Sequence, residues 1–433
     1  MRRDSTPGRQ EETAIGAQQP ELARRLGTTD AVVIGLGSMI GAGVFAAFAP
    51  AARSAGTGLL VGLGIAAVVA YCNATASAQL AAQYPLSGGT YLYGRERLGE
   101  WWGFFAGWGF VVGKTASCVA MALTFAAYVA PSGWQRPVAA AAVVVLATVN
   151  YRGITRTARL TGVIVVVTLV ALGMVMLAAL AGGEVDSQRL TPNLAGASSW
   201  YGVLQAAGLL FFAFAGYARI ATLGEEVRDP GRTIPRAIQV ALAAVVVLYA
   251  AVAVTVLLVL GPETLAASGE PLADAVTAGT WDWAVPVVRV GGATAALGAL
   301  LALIAGIGRT SLAMAREQDL PTWLAAVHPR HRVPHHADVA LAVAVVALIM
   351  VVDLRAAIGF SSFGVLLYYL TANIAAFTQD HEHRRFPRGL QVLGGTGCTV
   401  LVLTLPVSSV LVGAVVLGIG IGYRLWRQRA GAA

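Results

Sequence analysis

The sequence predicts an all-α integral membrane protein with twelve transmembrane helices. Three observations support this fold class. Hydrophobic residues form 57% of the chain and charged residues only 12%, a balance more apolar than that of soluble domains. Apolar runs of about 17–25 residues, each long enough to cross a hydrocarbon layer about 30 Å thick, recur along the whole length. The basic residues fall mainly in alternate loops, as they do in multi-pass membrane proteins.

The predicted membrane segments lie between a polar N-terminal tail (residues 1–29) and a short C-terminal tail (residues 426–433). Their boundaries are placed where an apolar run meets charged or proline-containing sequence. The twelve segments cover residues 30–53, 57–82, 101–129, 137–151, 160–181, 201–224, 237–260, 284–308, 338–352, 356–378, 389–405 and 407–425.

The first segment is interrupted in its middle by Gly35, Gly37, Gly41 and Gly43. Each glycine costs about 1 kcal/mol relative to alanine in a continuous helix. Backbone that leaves the helical hydrogen-bond pattern inside a bilayer persists only where it lines a protein cavity. We therefore predict a broken helix here, although close packing of small residues against a neighbouring helix would use the same glycines.

The sixth segment carries a second interruption, Phe211 to Tyr217. Paired interruptions in corresponding halves of a membrane protein indicate a solute-binding site near mid-membrane. A broken helix offers free N–H groups at one new end and free carbonyls at the other, which suits the carboxylate and ammonium of a zwitterion. The predicted substrate-binding residues are Ser38, Met39, Ile40, Gly41, Ala42, Gly43, Phe212, Ala213, Phe214, Ala215 and Gly216.

The lysines and arginines divide unequally between the two sides of the predicted bundle. Of 30, 23 lie on one side, four on the other, and three inside segments, namely Lys114, Arg219 and Arg289. Because cytoplasmic loops are basic, we expect a protein of the inner (cytoplasmic) membrane with both termini in the cytoplasm. The net charge of +8 is then a topology signal, and no nucleic-acid partner is expected.

The predicted orientation also indicates an internal symmetry. Segment one begins in the cytoplasm, whereas segment six ends there. If these segments are equivalent, residues 30–181 and 201–379 form two five-helix repeats of opposite topology, and residues 389–425 add two helices outside the repeat. An inverted repeat of this kind would place the two broken helices face to face.

Four motifs resemble the amino acid–polyamine–organocation (APC) superfamily of permeases. They are residues 37–45 (GSMIGAGVF), 85–91 (PLSGGTY), 211–235 with the core EEVRDP, and 313–321 (AMAREQDLP). The similarity extends over about residues 30–380. It implies a fold of the leucine-transporter type with helices 1 and 6 broken, and transport of an amino acid or related amine by alternating access.

The resemblance also implies roles for individual residues. Gly41, Ala42 and Gly43 match the carboxylate-binding positions of the family. Phe212 stands where relatives have an aromatic gate that closes over the substrate, although an ordinary core aromatic explains it equally well. Ala218 replaces an acidic residue that many relatives use for cationic-substrate recognition or proton handling, and its loss argues against arginine, lysine or a polyamine as the substrate and favours a neutral amino acid.

Three polar residues at membrane depth are candidates for ion coupling or charge recognition. Lys114 is the only lysine of the chain, and a lysine, unlike an arginine, can release a proton within the accessible pH range. We predict that it couples transport to protons or replaces a bound cation, with a structural tether as the alternative. Thr168 stands near the position where proton-coupled relatives carry a lysine. Arg219 either binds an acidic substrate group or, as we favour, pairs with Glu225 or Glu226.

The sequence therefore predicts a proton-coupled amino acid permease embedded in the lipid bilayer, and no enzyme. Substrate exchange and sodium symport are alternatives on the same fold, and a non-transporting amino acid sensor is an alternative of another class. No cofactor or metal is expected. The three cysteines lie in apolar segments, and the six histidines fall in two loops where solvation is favoured over metal binding.

Overall fold

A computed structural model describes residues 26–85, 88–153, 158–191, 200–224, 226–279 and 281–431. This part of the chain is helical, apart from connecting segments and an isolated bridge between Leu26 and Val227. The α-helices are α1 (Thr28–Met39), α2 (Ala42–Ala46), α3 (Phe48–Ala55), α4 (Leu59–Gln83), α5 (Gly89–Leu98), α6 (Glu100–Val129), α7 (Gln135–Tyr151), α8 (Ala158–Gly182), α9 (Trp200–Phe214), α10 (Ala218–Ala221), α11 (Pro230–Ala267), α12 (Pro271–Thr277), α13 (Val285–Arg316), α14 (His335–Val351), α15 (Leu354–Phe377), α16 (Arg388–Thr404) and α17 (Val407–Gly431).

The helices have the lengths and composition of membrane spans. Within the described residues, nine helical spans have at least 18 residues and are apolar enough to cross a bilayer. Three further helices at predicted segments, α7, α14 and α16, have 17 residues each. The protein is thus a multi-pass helical membrane protein.

Several helices differ from the predicted segments at their ends. Helix α11 has 38 residues and bends at Gly261, whose φ of 71° interrupts the helix just before Pro262. Helices α5 and α12 lie outside every predicted segment. Hydropathy finds only the apolar part of a helix, so polar extensions and short polar helices escape it.

Arginines mark the two ends of the bundle. At one end, Arg97 reaches the Asp380 carboxylate at 3.5 Å, and Arg424 reaches Asp319. We call this end the arginine-rich face. At the opposite face lie the four arginines that the sequence assigns to the less basic side of the bundle. Each donates a hydrogen bond to a protein oxygen nearby. They are Arg53, Arg136, Arg189 and Arg355.

Helix α6 occupies the centre of the bundle and packs against α13 and α15. Small residues allow the close approach of α6 to α15. A Cβ on Gly113 would lie 3.1 Å from the Gly364 Cα, and a Cβ on Gly109 would lie 3.0 Å from the Gly364 carbonyl oxygen. This contact fixes α6 in the core and places Lys114 at its centre.

The first predicted segment breaks at the expected point. Helix α1 ends at Met39, Ile40 adopts φ −79° and ψ 61°, and Gly41 adopts φ −107° and ψ −148° before α2 begins. Ala47 returns to right-handed helical geometry, and its N–H bonds to the Gly43 carbonyl at 2.9 Å. Helices α2 and α3 therefore continue as the second half of one interrupted span.

The sixth segment is interrupted more mildly than the sequence predicted. A 3-10 turn, Ala215–Tyr217, joins α9 to α10. Phe214 and Tyr217 both keep right-handed helical dihedral angles. Only one glycine, Gly216, lies in this stretch. The sixth segment therefore narrows to a 3-10 turn, whereas the glycine-rich first segment leaves helical geometry at Ile40 and Gly41.

Candidate functional site

A cavity of about 340 Å³ lies between the two interrupted segments, α6 and α13. Its inner end is bounded by Ser38 and Met39 at the end of α1 and by Gly43 in α2. The other end extends towards the arginine-rich face, where Arg219 and Arg309 line it. The cavity is of the size that small-molecule sites occupy in proteins.

The structure brings most of the predicted residues to this cavity. Those that line it are Ser38, Met39, Gly43, Lys114, Phe212, Ala213, Ala215, Gly216 and Arg219. The other predicted residues, which do not line it, are Ile40, Gly41, Ala42, Phe214 and Thr168. On a helix, successive side chains point to different sides, so a continuous stretch of sequence cannot line one cavity throughout.

Two of the predicted residues outside the cavity have packing roles. A Cβ on Gly41 would lie 2.8 Å from the Ala299 Cβ of α13. The Phe214 ring packs against the Tyr249 ring, with 5.2 Å between centroids. Both residues therefore pack their own segments against neighbouring helices, α13 and α11.

Glycines bring the two interruptions into direct contact. A Cβ on Gly216 would overlap the Ser38 carbonyl, and a Cβ on Gly43 would lie 2.6 Å from the Ala213 Cα. These glycines thus serve close packing and, at the same time, lie at the cavity wall. The close-packing interpretation therefore applies to both glycines, and binding of a solute at this wall stays a prediction.

A tyrosine that the sequence analysis missed connects the two interruptions. The buried Tyr249 hydroxyl of α11 lies 2.6 Å from the Met39 carbonyl oxygen and 3.2 Å from the Ala213 carbonyl oxygen. It donates one hydrogen shared between two carbonyls on different segments. Tyr249 is the only aromatic residue of the predicted segment 237–260, and a buried tyrosine hydroxyl usually finds a partner. A single tyrosine in an otherwise aliphatic segment was therefore the feature of the sequence that could have identified this contact.

Lys114 caps a carbonyl of the sixth segment. Its Nζ lies 3.4 Å from the Ala215 carbonyl oxygen, which also accepts a 3.3 Å hydrogen bond from the Tyr369 hydroxyl. The lysine is only 7% exposed, and no carboxylate of the described residues lies within 4 Å of it. One turn later, Ser117 lines the cavity and shares a 2.6 Å hydrogen bond with Ser361.

The end of the cavity near the arginine-rich face is basic. Arg219 donates to the Thr222 hydroxyl at 3.3 Å. Arg219 and Glu226, one of the two partners predicted for it, do not form an ion pair. The other, Glu225, lies outside the described residues. Arg309 lines the same region. Two arginines and one glutamate therefore face this part of the cavity.

Thr168 lies away from the cavity. The residue is buried in α8, and its hydroxyl donates to the Ile164 carbonyl of the same helix at 2.8 Å. Such a bond to the preceding turn satisfies the hydroxyl locally. The structure thus gathers Lys114, and not Thr168, at the interrupted segments.

Comparisons of this sequence with a family model and with individual proteins agree on one family. A family model described as "Amino acid permease" matches residues 26–424. The chain is similar to an uncharacterised transporter of Mycobacterium tuberculosis, with 60% identity over 93% of this chain and 90% of that protein. It is 26% identical to the branched-chain amino acid permease BcaP of Bacillus subtilis over 90% of each chain. It is also 26% identical to the chloroplastic cationic amino acid transporter 7 of Arabidopsis thaliana, over 84% of this chain and 66% of that protein.

Proposed function

This chain belongs to the amino acid permease family of the APC superfamily, and from that premise we propose that it carries a neutral amino acid across the cytoplasmic membrane. Transport proceeds by alternating access and is coupled to protons. The observation that supports the proposal most directly is the cavity between the two interrupted segments, because exposed peptide groups there suit a zwitterion. The protein is a transporter and not an enzyme.

The proposed topology has twelve membrane helices, with residues 30–181 and 201–379 as inverted repeats. Both termini lie in the cytoplasm, so the arginine-rich face is the cytoplasmic one. The clustering of arginines at that face supports this orientation. Opposite orientation of the repeats explains how Ser38 and Gly216, far apart in sequence, meet at one depth.

In the proposed bound state, the substrate carboxylate lies against the first turn of α2, with Gly43 allowing close approach of the ligand to the backbone. The substrate ammonium donates to the carbonyls of α1 and the sixth segment, since a carbonyl that accepts one hydrogen bond from the protein keeps a second lone pair. Phe212 lines the cavity beside Ala213 and closes over the substrate as the gate.

A neutral substrate suits the charges around the cavity better than a cationic one. Ala218 contributes no acid, and Lys114, Arg219 and Arg309 line the cavity against one described carboxylate, Glu226. A substrate with a cationic side chain would be repelled by this set of charges. A neutral zwitterion adds no net charge to it.

The hydrogen bonds at the interruptions favour proton coupling over sodium coupling. Sodium ions in proteins require several free oxygen ligands, but the Met39, Ala213 and Ala215 carbonyls already accept hydrogen bonds from Tyr249, Lys114 or Tyr369. Lys114 supplies a cation of its own to the Ala215 carbonyl. Because its amine can release and regain a proton, the charge at this carbonyl can change during the transport cycle.

Uptake into proteoliposomes tests the proposed function. Purified protein is reconstituted, and radiolabelled neutral, cationic and acidic amino acids are offered with an imposed proton gradient, a sodium gradient or neither. We expect accumulation of a neutral amino acid driven by an acidic exterior. Uptake only against internal substrate would show exchange, a sodium requirement would show sodium symport, and binding without flux would show a sensor.

We expect Lys114→Met to lose accumulation driven by the proton gradient while retaining exchange of substrate across the membrane. Methionine keeps an unbranched side chain in the buried position but carries no titratable amine. The measurement compares gradient-driven uptake with counterflow in the same liposomes. Unchanged gradient dependence in this variant would remove the coupling role from Lys114 and leave the structural tether.

We expect Tyr249→Phe to lower the uptake rate about 5- to 150-fold, since carbonyls left without a donor at a buried site cost about 1–3 kcal/mol. The phenyl ring preserves packing against Phe214, so the effect isolates the hydroxyl. Initial uptake rates at saturating substrate are measured beside Tyr201→Phe, which makes the same change at an exposed position of α9. Equal rates in both variants would show that the bridge between the segments is dispensable.

A further inference from the structure

A second cavity, which shares no lining residue with the first, is a groove of about 440 Å³ between α15 and α16. Outward-facing residues of α16 such as Val392 and Val400 are exposed there, on the side of the bundle that faces lipid. The full lining comprises Leu370, Asn373, Ile374, Phe377, Gln391, Val392, Gly395, Thr396, Thr399 and Val400.

Two buried amides line the groove, and each has at least one polar atom without a hydrogen-bond partner. Gln391 is 2% exposed, and neither atom of its amide has a hydrogen-bond partner among the described residues. Asn373 donates to Asn73 at 2.6 Å, but its own Oδ1 accepts no bond. An unpaired buried amide costs free energy, so these groups indicate a ligand that carries both hydrogen-bond donors and acceptors.

Both amides lie near the ends of their helices, where we expect the glycerol region of the lipid. Asn373 lies one turn before the end of α15, and Gln391 lies one turn after the start of α16. At 1.5 Å per residue, both are about 5–6 Å inside the helix ends. The polar interfacial layer of a bilayer has a similar thickness.

The rest of the groove is apolar. From Gln391 to Val400 it follows α16 for about 13 Å. Thr399 donates its hydroxyl to the Gly395 carbonyl of its own helix at 2.9 Å, which leaves its methyl group to face the groove. An acyl chain fits such a surface, whereas a polar metabolite does not.

The mouth of the groove carries a positive charge. The Arg388 guanidinium lies over the Phe377 ring, 5.1 Å from its centroid. Among the described residues, no carboxylate lies within 4 Å of Arg388. An exposed arginine held by an aromatic ring at the membrane surface is well placed for a phosphate.

We propose that this groove binds an anionic phospholipid with a hydroxylated headgroup. Arg388 binds the phosphate, the Gln391 Nε2 donates to an ester carbonyl, and the Gln391 Oε1 accepts from a headgroup hydroxyl. One acyl chain fills the groove along α16. This site is separate from the transport cavity and does not depend on the proposed substrate or coupling ion.

Native mass spectrometry of the delipidated full-length protein tests the proposal, with phosphatidylglycerol and phosphatidylcholine of identical acyl chains as probes. We expect phosphatidylglycerol to bind about fivefold more tightly, the effect of one basic residue at a membrane surface. Arg388→Ala should reduce that preference, because the net negative charge of phosphatidylglycerol then loses its cationic partner while the Gln391 contact to the headgroup hydroxyl remains. The control Arg232→Ala, at a side chain 90% exposed on the same face, should retain the full preference.

Gln391→Met tests the amide separately. Methionine is similar in length and leaves no unpaired polar atom, so we expect the lipid-free variant to be at least as thermally stable as the wild type. Phosphatidylglycerol should raise the melting temperature of the wild type by more than that of Gln391→Met. Equal binding of the two lipids, an unchanged preference in Arg388→Ala, or a lipid-free dimer that covers the groove would each overturn the proposal.

Discussion

We expect Gly216→Ala to abolish measurable uptake. The added methyl group would overlap the Ser38 carbonyl carbon and oxygen, and it would lie 2.6 Å from the Met39 amide nitrogen. These are backbone atoms and cannot rotate away as a flexible side chain would. The dihedral angles here are those of a tight helix, which alanine adopts freely, so the effect arises from the contact between the segments and not from backbone strain.

Forcing an extra carbon into a packed site costs about 1–3 kcal/mol and occasionally more. Overlap with three backbone atoms places Gly216→Ala above that range, and the cost falls on the two segments that must move against each other. Uptake is compared with that of Gly173→Ala, the same substitution in α8, where a Cβ would meet no atom within 4 Å. Both variants are checked for monodisperse behaviour in detergent. Wild-type uptake by folded Gly216→Ala would show that close contact at Ser38 is not needed for transport.

We expect Asp319→Asn to produce the largest loss of stability. Its carboxylate, which is 5% exposed, accepts from Arg424 at 2.6 Å, from the Tyr91 hydroxyl at 2.8 Å and from Arg95 at 3.2 Å. The Arg424 guanidinium is also buried and lies 4.7 Å from the Trp101 ring centroid. The network joins α5, α6, α17 and the segment after α13.

Burial raises the pKa of the Asp319 carboxyl, while the hydrogen bond from Tyr91 and the two arginines oppose that shift. Replacing the carboxylate by an amide leaves the charge of buried Arg424 with only the exposed Glu100, 3.4 Å away. Removing one member of a buried ion pair costs about 3–5 kcal/mol. Since Glu100 compensates in part, we expect a loss of about 3 kcal/mol.

The loss is measured as the free energy of unfolding in mixed micelles titrated with dodecyl sulfate. Asp229→Asn is the matched control, because its carboxylate is 63% exposed and lies 4.0 Å from Arg232. Asparagine also tolerates the left-handed backbone of Asp229, whose φ is 45°. An exposed pair contributes about 0–1 kcal/mol. Similar losses in the two variants would show that the Asp319 network does not hold these helices together.

The fold class and the position of the first break could be predicted from local sequence. Long apolar runs require a membrane, and clustered glycines weaken a helix wherever they occur. The interruption between Met39 and Ala42 therefore lies where the glycines placed it. The unequal distribution of arginines between the two faces could also be predicted, because the charge of each loop is read directly from its own residues.

The membership of the site could be predicted only in part. Local sequence identifies the interrupted segments but not which of their residues face the cavity, and the predicted binding residues Ile40, Gly41, Ala42 and Phe214 do not line it. The degree of unwinding at Ala215–Tyr217 was also overestimated. It depends on the support that Lys114 and Tyr369 give to the Ala215 carbonyl from other helices.

The sequence by itself determined that this protein spans a membrane, that its first helix is broken, and that it is a permease. Only the tertiary structure decided that Tyr249 bridges the two interruptions and that Asp319 joins Arg95 to Arg424. The physical reason is the distance along the sequence over which each kind of information acts. Periodicity and propensity describe neighbours within a few residues along a helix, whereas Tyr249 and Met39 are 210 positions apart and meet only because the packed helices bring them together.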